Sequence, residues 1–145
     1  WHGKEPFTNF TSNVGRFMVE YGFQSFPELS SLKKVMSDSN LSLTSTVMQN
    51  RQKSYIGNGL ILEHIKRNFK EPDNFEEFVL LSQKTQALAM QIAIRSHMKK
   101  QPHCMGTIFW QLNDCWPGPS WSVIDYYGKE KQAYDIVRTE YSRHP

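Results

Sequence analysis

The sequence has 145 residues, enough for one domain and no more. Hydrophobic residues make up 39% and charged residues 21%, with a net charge of +3 and a pI near 8.9, an ordinary globular composition. The basic residues are scattered apart from short groups such as Lys99–Lys100, so no nucleic-acid partner is expected, and no apolar stretch is long enough to span a bilayer, so no membrane partner is expected either.

The first residue is Trp1 rather than Met, and no signal-peptide pattern follows it. The sequence therefore reads as trimmed, and the missing signal says nothing of an intact gene product. Two cysteines, Cys104 and Cys115, lack a common metal spacing and a matching His pair, so no metal site is expected. Cys104 opens an apolar run and reads as a small buried hydrophobe.

Residues 1–14 are rich in Gly, Pro, Thr, Ser and Asn and read as loop. Arg16 to Val19 reads as a short buried strand that ends at Glu20, with Gly22 as punctuation. Pro27 sits where a helix begins, and Phe26, Leu29, Leu32, Val35 and Met36 follow at roughly helical spacing. Residues 37–50, rich in Ser, Thr and Asn, read as a long loop.

Leu60 to Phe69 carries helical spacing at Leu60, Ile61, Ile65 and Phe69. A stronger helix follows, capped by Asp73 with Glu76 three residues on, and it runs to about Lys100 before Pro102 stops it. Met105 to Leu112 reads as a strand that is apolar on both faces, as in a parallel sheet covered by helices. A loop rich in Pro, Gly and Trp spans Asp114 to Ser122, and a last helix runs from about Lys129 to Tyr141.

The order strand, helices, strand, helix is the βα pattern of an α/β domain. Two strands with their helices make neither a closed barrel nor a doubly wound sheet. The chain therefore reads as a piece of a larger α/β sheet, since a full barrel needs about 250 residues.

In parallel barrels, catalytic groups stand at the C-terminal ends of the strands. Glu20 ends the first strand here and Trp110 to Asp114 ends the second. A carboxylate beside a Trp face suits a sugar: the carboxylate attacks the anomeric carbon while the indole packs on the C–H face of the ring. Each of these residues also has a plain structural reading. Glu20 could pair with Arg16, Trp110 could be core, and Asn113 and Asp114 could bond the loop backbone.

The segment Gly15-Arg16-Phe17-Met18-Val19-Glu20-Tyr21-Gly22-Phe23-Gln24-Ser25-Phe26-Pro27 resembles the nucleophile segment of β-mannosidases in glycoside hydrolase family 2. A second segment, Gly106-Thr107-Ile108-Phe109-Trp110-Gln111-Leu112-Asn113-Asp114-Cys115-Trp116-Pro117, resembles the last barrel strand of the same enzymes. So do Pro119-Ser120-Trp121-Ser122 and Asp125-Tyr126-Tyr127-Gly128-Lys129, while Trp1-His2-Gly3 resembles the loop ahead of the nucleophile strand.

The resemblance implies the C-terminal portion of a (β/α)8 barrel, its last two strands with their helices, spanning residues 1–145 and incomplete as it stands. It implies Glu20 as nucleophile, Trp110 under the sugar, and Asn113 and Asp114 close to the pocket. Gln24, Trp1 and His2 are further candidates for substrate binding. The implied reaction is a double displacement that removes terminal β-mannose. A second carboxylate about 5 Å from the nucleophile would protonate the leaving oxygen.

That second carboxylate normally follows an Asn in an Asn-Glu pair, and no such dipeptide occurs here. The implied partners are therefore a β-mannoside and the missing N-terminal part of the same protein, with no cofactor. The chain alone should be inactive, exposed along the edges where further strands pair, and prone to self-association. An extracytoplasmic location follows from the substrate class. A sister enzyme, a β-galactosidase or exo-glucosaminidase, and a non-catalytic carbohydrate-binding piece stand as alternatives.

Overall fold

The architecture of residues 3–55 and 57–143 comes from a computed structural model, and its centre is one long helix. In chain order the elements are α1 (Asn9–Ser12), β1 (Met18–Tyr21), α2 (Leu29–Leu32), a 3-10 turn (Asp38–Asn40), α3 (Thr46–Arg51), α4 (Asn58–Asn68), α5 (Phe75–Lys99), β2 (Thr107–Phe109) and α6 (Gln132–Ser142). The strands β1 and β2 pair in parallel, as an α/β piece requires.

Helix α5 starts where Asn74 accepts a hydrogen bond from the Glu77 N–H at 2.9 Å, and the Glu77 carboxylate accepts from the Asp73 N–H at 2.7 Å. The cap is thus Asn74 with Glu77, one position beyond the expected Asp73 with Glu76. Both pairs have the spacing of a capping box, and only the backbone path selects between them. Glu76 and Glu77 in the first turn, and Lys99 in the last, suit the helix dipole.

The helix serves two cores. Its first turns place Phe78 and Val79 against Phe26, Leu32, Met36, Met48, Ile61 and Ile65. Its later turns place Ala89, Met90, Ala93 and Ile94 against Phe7, Phe10, Tyr21, Phe23, Val123, Ala133 and Val137. Helices α5 and α6 pack against each other, and the small residues Ala89, Ala93 and Ala133 all lie in this second core.

Several expectations need correction. The stretch 37–50 is not a continuous loop. Ser45 accepts from the Met48 N–H at 3.1 Å and donates to the Asn40 carbonyl at 2.7 Å, and α3 begins there. Ser, Thr and Asn compete with the helical backbone, which hid this helix, but burial of Met48 outweighs that cost. The opening loop contains the single turn α1, held by buried Phe10. The helix expected after Pro27 is only four residues long, although Phe26, Leu32 and Met36 are buried as its spacing suggests. The final helix begins at Gln132, because Asp125 first binds the Tyr127 and Lys129 N–H groups in a turn.

The strands also differ. β1 runs through Glu20 to Tyr21, and β2 stops at Phe109. Beyond that point Gln111 and Leu112 bond to the returning segment Trp121–Ile124 instead. The sheet is not covered on both faces: Val19 is 57% exposed and its partner Ile108 54%, with Phe17, Met105 and Leu112 exposed nearby. Buried Cys104 is as the sequence reading had it.

Candidate functional site

Glu20 owes its placement to a fault in the strand pairing. Val19 pairs with Ile108 and Tyr21 with Phe109, so Glu20 is the extra residue of a bulge. Its φ is 55°, in the left-handed region, which costs a non-glycine residue about 1–3 kcal/mol. The side chain is exposed at the C-terminal end of β1. The flanking residues hold this geometry. Tyr21 is 3% exposed, and its carbonyl accepts from the Trp110 N–H at 2.8 Å.

Beneath the bulge, the Thr107 hydroxyl donates to the Tyr21 oxygen at 2.7 Å, with the Tyr141 hydroxyl 3.1 Å away on the other side. His97 Nδ1 lies 2.9 Å from the Thr107 hydroxyl, and the imidazole meets the Tyr21 ring edge to face. Burial raises the Tyr21 pKa well above the usual phenol range and pushes His97 down to about 4. Tyr21 is thus a neutral, anchored neighbour of Glu20.

Gly22 brings the two strand ends together. A Cβ there would stand 2.1 Å from the Trp110 carbonyl oxygen and 3.5 Å from the Trp121 ring. Trp110 itself is 43% exposed just beyond the end of β2. The Trp110–Gln111 peptide is cis.

Asn113 is exposed, while Asp114 is partly buried and faces inward to its own loop. Its Oδ2 accepts from the hydroxyls of Ser120 at 2.7 Å and Ser122 at 2.6 Å. Gln24 is buried and its amide donates to Gln52 at 3.0 Å. Trp1 and His2 lie outside the described residues.

The backbone after Glu20 thus meets Trp110 at Tyr21 and Gly22, Asp114 braces the adjoining loop, and Gln24 is buried against Gln52. Sequence reasoning missed the bracing residues. Ser25 and Ser120 exchange backbone hydrogen bonds at 2.9 and 3.1 Å, which ties the segment after Glu20 to the loop after Trp110. Buried Lys131 lies with its ammonium 3.4 and 3.5 Å from the carbonyls of Ser25 and Ser120. Burial lowers its pKa to about 8, against the opposing pull of Asp114 and Asp125. Nothing in the local sequence around Lys131, near the start of the expected last helix, gave a signal of this. Among the described residues no group of three or more His, Cys, Asp or Glu could hold a metal ion, and no helix is long and apolar enough to cross a membrane.

No family model matches the chain. The β-mannosidase of Capra hircus is 35% identical over 136 residues, covering 85% of this chain and 16% of the relative. The crystal structure of the β-D-mannosidase from Dictyoglomus thermophilum superposes with a TM-score of 0.92 at 34% identity, covering 97% of this chain and 18% of that one. An exo-chitosanase of Amycolatopsis orientalis, at 20% identity and a TM-score of 0.75, shares the fold. With its parallel strand pair and convergent strand ends, the chain is a glycosidase-like enzyme piece.

More narrowly, it is a homologue of the β-mannosidases over most of its own length, and it matches part of a glycoside hydrolase structure. It spans 16% of the length of the goat relative and 18% of the Dictyoglomus chain.

Proposed function

We propose that this chain is the nucleophile-bearing part of a family 2 β-mannosidase, the last two βα units of a (β/α)8 barrel. The observation that carries the reading is exposed Glu20, held in a left-handed bulge at the end of β1, where the next residue hydrogen-bonds the backbone of half-exposed Trp110. A strained residue at a strand end, kept in place by buried neighbours, is where catalytic groups collect.

In this mechanism Glu20 attacks the anomeric carbon of a terminal β-mannoside and forms a glycosyl-enzyme, with Trp110 packed on the sugar. The leaving oxygen takes its proton from a second carboxylate on an earlier strand of the same protein. That residue then activates water to release mannose with retained configuration. Lacking this second group, the chain alone turns over no substrate. The exposed Val19, Ile108 and Leu112 pack against the rest of the barrel, and an isolated chain self-associates through them. No cofactor takes part in this chemistry, and the protein acts outside the cytoplasm.

The test is covalent labelling of the full-length protein with a 2-deoxy-2-fluoro-mannosyl inactivator, followed by peptide mapping. A label on Glu20, absent from Glu20→Gln, is expected. A label on another residue would overturn the nucleophile assignment. No label on folded, active protein would move the reading to a sister glycosidase of different sugar preference.

A further inference from the structure

The C-terminal end of α3 touches both halves of the candidate site. Arg51 closes the helix, and its guanidinium reaches two carbonyls, Pro117 at 3.0 Å and Val35 at 3.1 Å. Its own carbonyl accepts from the Trp116 indole N–H at 3.2 Å. The guanidinium also lies 5.4 Å from the centre of the Trp116 ring, and the Lys53 ammonium lies 4.4 Å from it. Gly118 packs so tightly here that a Cβ would come within 2.9 Å of the Arg51 carbonyl oxygen.

The next residue, Gln52, works on the other half. Its Oε1 accepts from the Gln24 amide at 3.0 Å and from the Ser54 N–H at 2.9 Å, while its Nε2 donates to Asn58 at 2.7 Å. Gln24 lies on the segment that follows Glu20. Trp116 and Pro117 lie at the tip of the loop that follows Trp110. Asp114, Ser120 and Ser122 brace the base of that loop, so Arg51 supplies its fixed point at the tip.

Resting on the glycosidase reading above, we infer that Arg51 is a positioning residue for the substrate pocket: it clamps the Cys115–Gly118 loop, and with it Trp116, against α3. Gln52 holds the segment after Glu20 to the same helix end. Trp116 is 41% exposed, so the clamp fixes the indole N–H and holds the two cations over the ring while leaving part of the side chain open, and on this inference that open part borders the substrate pocket. A rim that binds sugar equally well in the ground and transition states acts on KM rather than on kcat.

The experiment uses the full-length protein with 5-fluorotryptophan, its resonances assigned by single Trp→Phe variants. Arg51→Met removes both carbonyl contacts and the cation. Arg138→Met, on the exposed side of α6, controls for loss of a surface arginine. Expected are a displaced Trp116 resonance with that of Trp121 in place, a KM for an aryl β-mannoside raised roughly tenfold, and a kcat within about threefold. Arg138→Met should change none of these.

An unmoved Trp116 resonance would overturn the clamp. A moved resonance with an unchanged KM would overturn its role at the pocket. Should Arg51→Met fail to fold, Arg51→Lys carries the same test, since one ammonium at that position does not serve both carbonyls. Absence of turnover in the unsubstituted protein is a failure of the glycosidase reading, and the resonance shift then decides the clamp by itself.

Discussion

Replacing Gly22 by Ala tests whether close backbone approach, rather than a flexible turn, explains this glycine. The added methyl would sit 2.1 Å from the Trp110 carbonyl oxygen. That is more than about 1 Å inside the distance packed atoms tolerate. The obstructing atom is backbone just beyond the end of the partner strand, so no side-chain rotation relieves it. Overpacking of this kind costs about 1–3 kcal/mol, and a rigid neighbour places this case at the upper end.

In the full-length protein such a loss lowers Tm by a few degrees. Gly59, near the start of α4, is the control, because a Cβ there meets nothing within 4 Å. Gly59→Ala should raise stability by about 0.5–1 kcal/mol through helix propensity and unfolded-state entropy. Thermal unfolding followed by circular dichroism measures both. A Gly22→Ala variant as stable as the parent would refute the reasoning, because Trp110 could then move away from the Glu20 strand without cost.

Two further outcomes follow from the buried polar groups. His97 is held neutral by burial, with a pKa near 4, among Tyr21, Tyr141, Thr107 and Cys104. In the unfolded chain it takes up a proton near pH 6.5. Stability should therefore fall as pH drops from about 6.5 to 4, by at most about 1.4 kcal/mol per unit, and denaturant midpoints for His97→Gln should be flatter across that window. Ser45→Ala removes the cap of α3 and should cost about 1 kcal/mol, read as a shift in the denaturant midpoint at constant m-value.

Local sequence determined the features that depend on neighbours along the chain. Apolar spacing at Ile61 and Ile65, and at Phe78 and Val79, marked α4 and α5, since a 3.6-residue period leaves a pattern whatever the partner is. The order of strands and helices implied parallel pairing, which β1 and β2 show. Two motifs in register pointed to Glu20 and Trp110. The sequence could not show that Glu20 is a bulged residue at φ 55°, because register is a property of two strands and appears only when they pair.

Nor did it show α3, whose polar composition favours a loop until Met48 finds its place in the core. Nothing in the local sequence marked Lys131, Arg51 or Gln52. Their roles come from carbonyls and amides distant in sequence, such as Ser25, Ser120, Pro117 and Gln24. Residue type and spacing encode what a segment does with itself, whereas the partners of a buried polar group exist only once distant segments have been packed together.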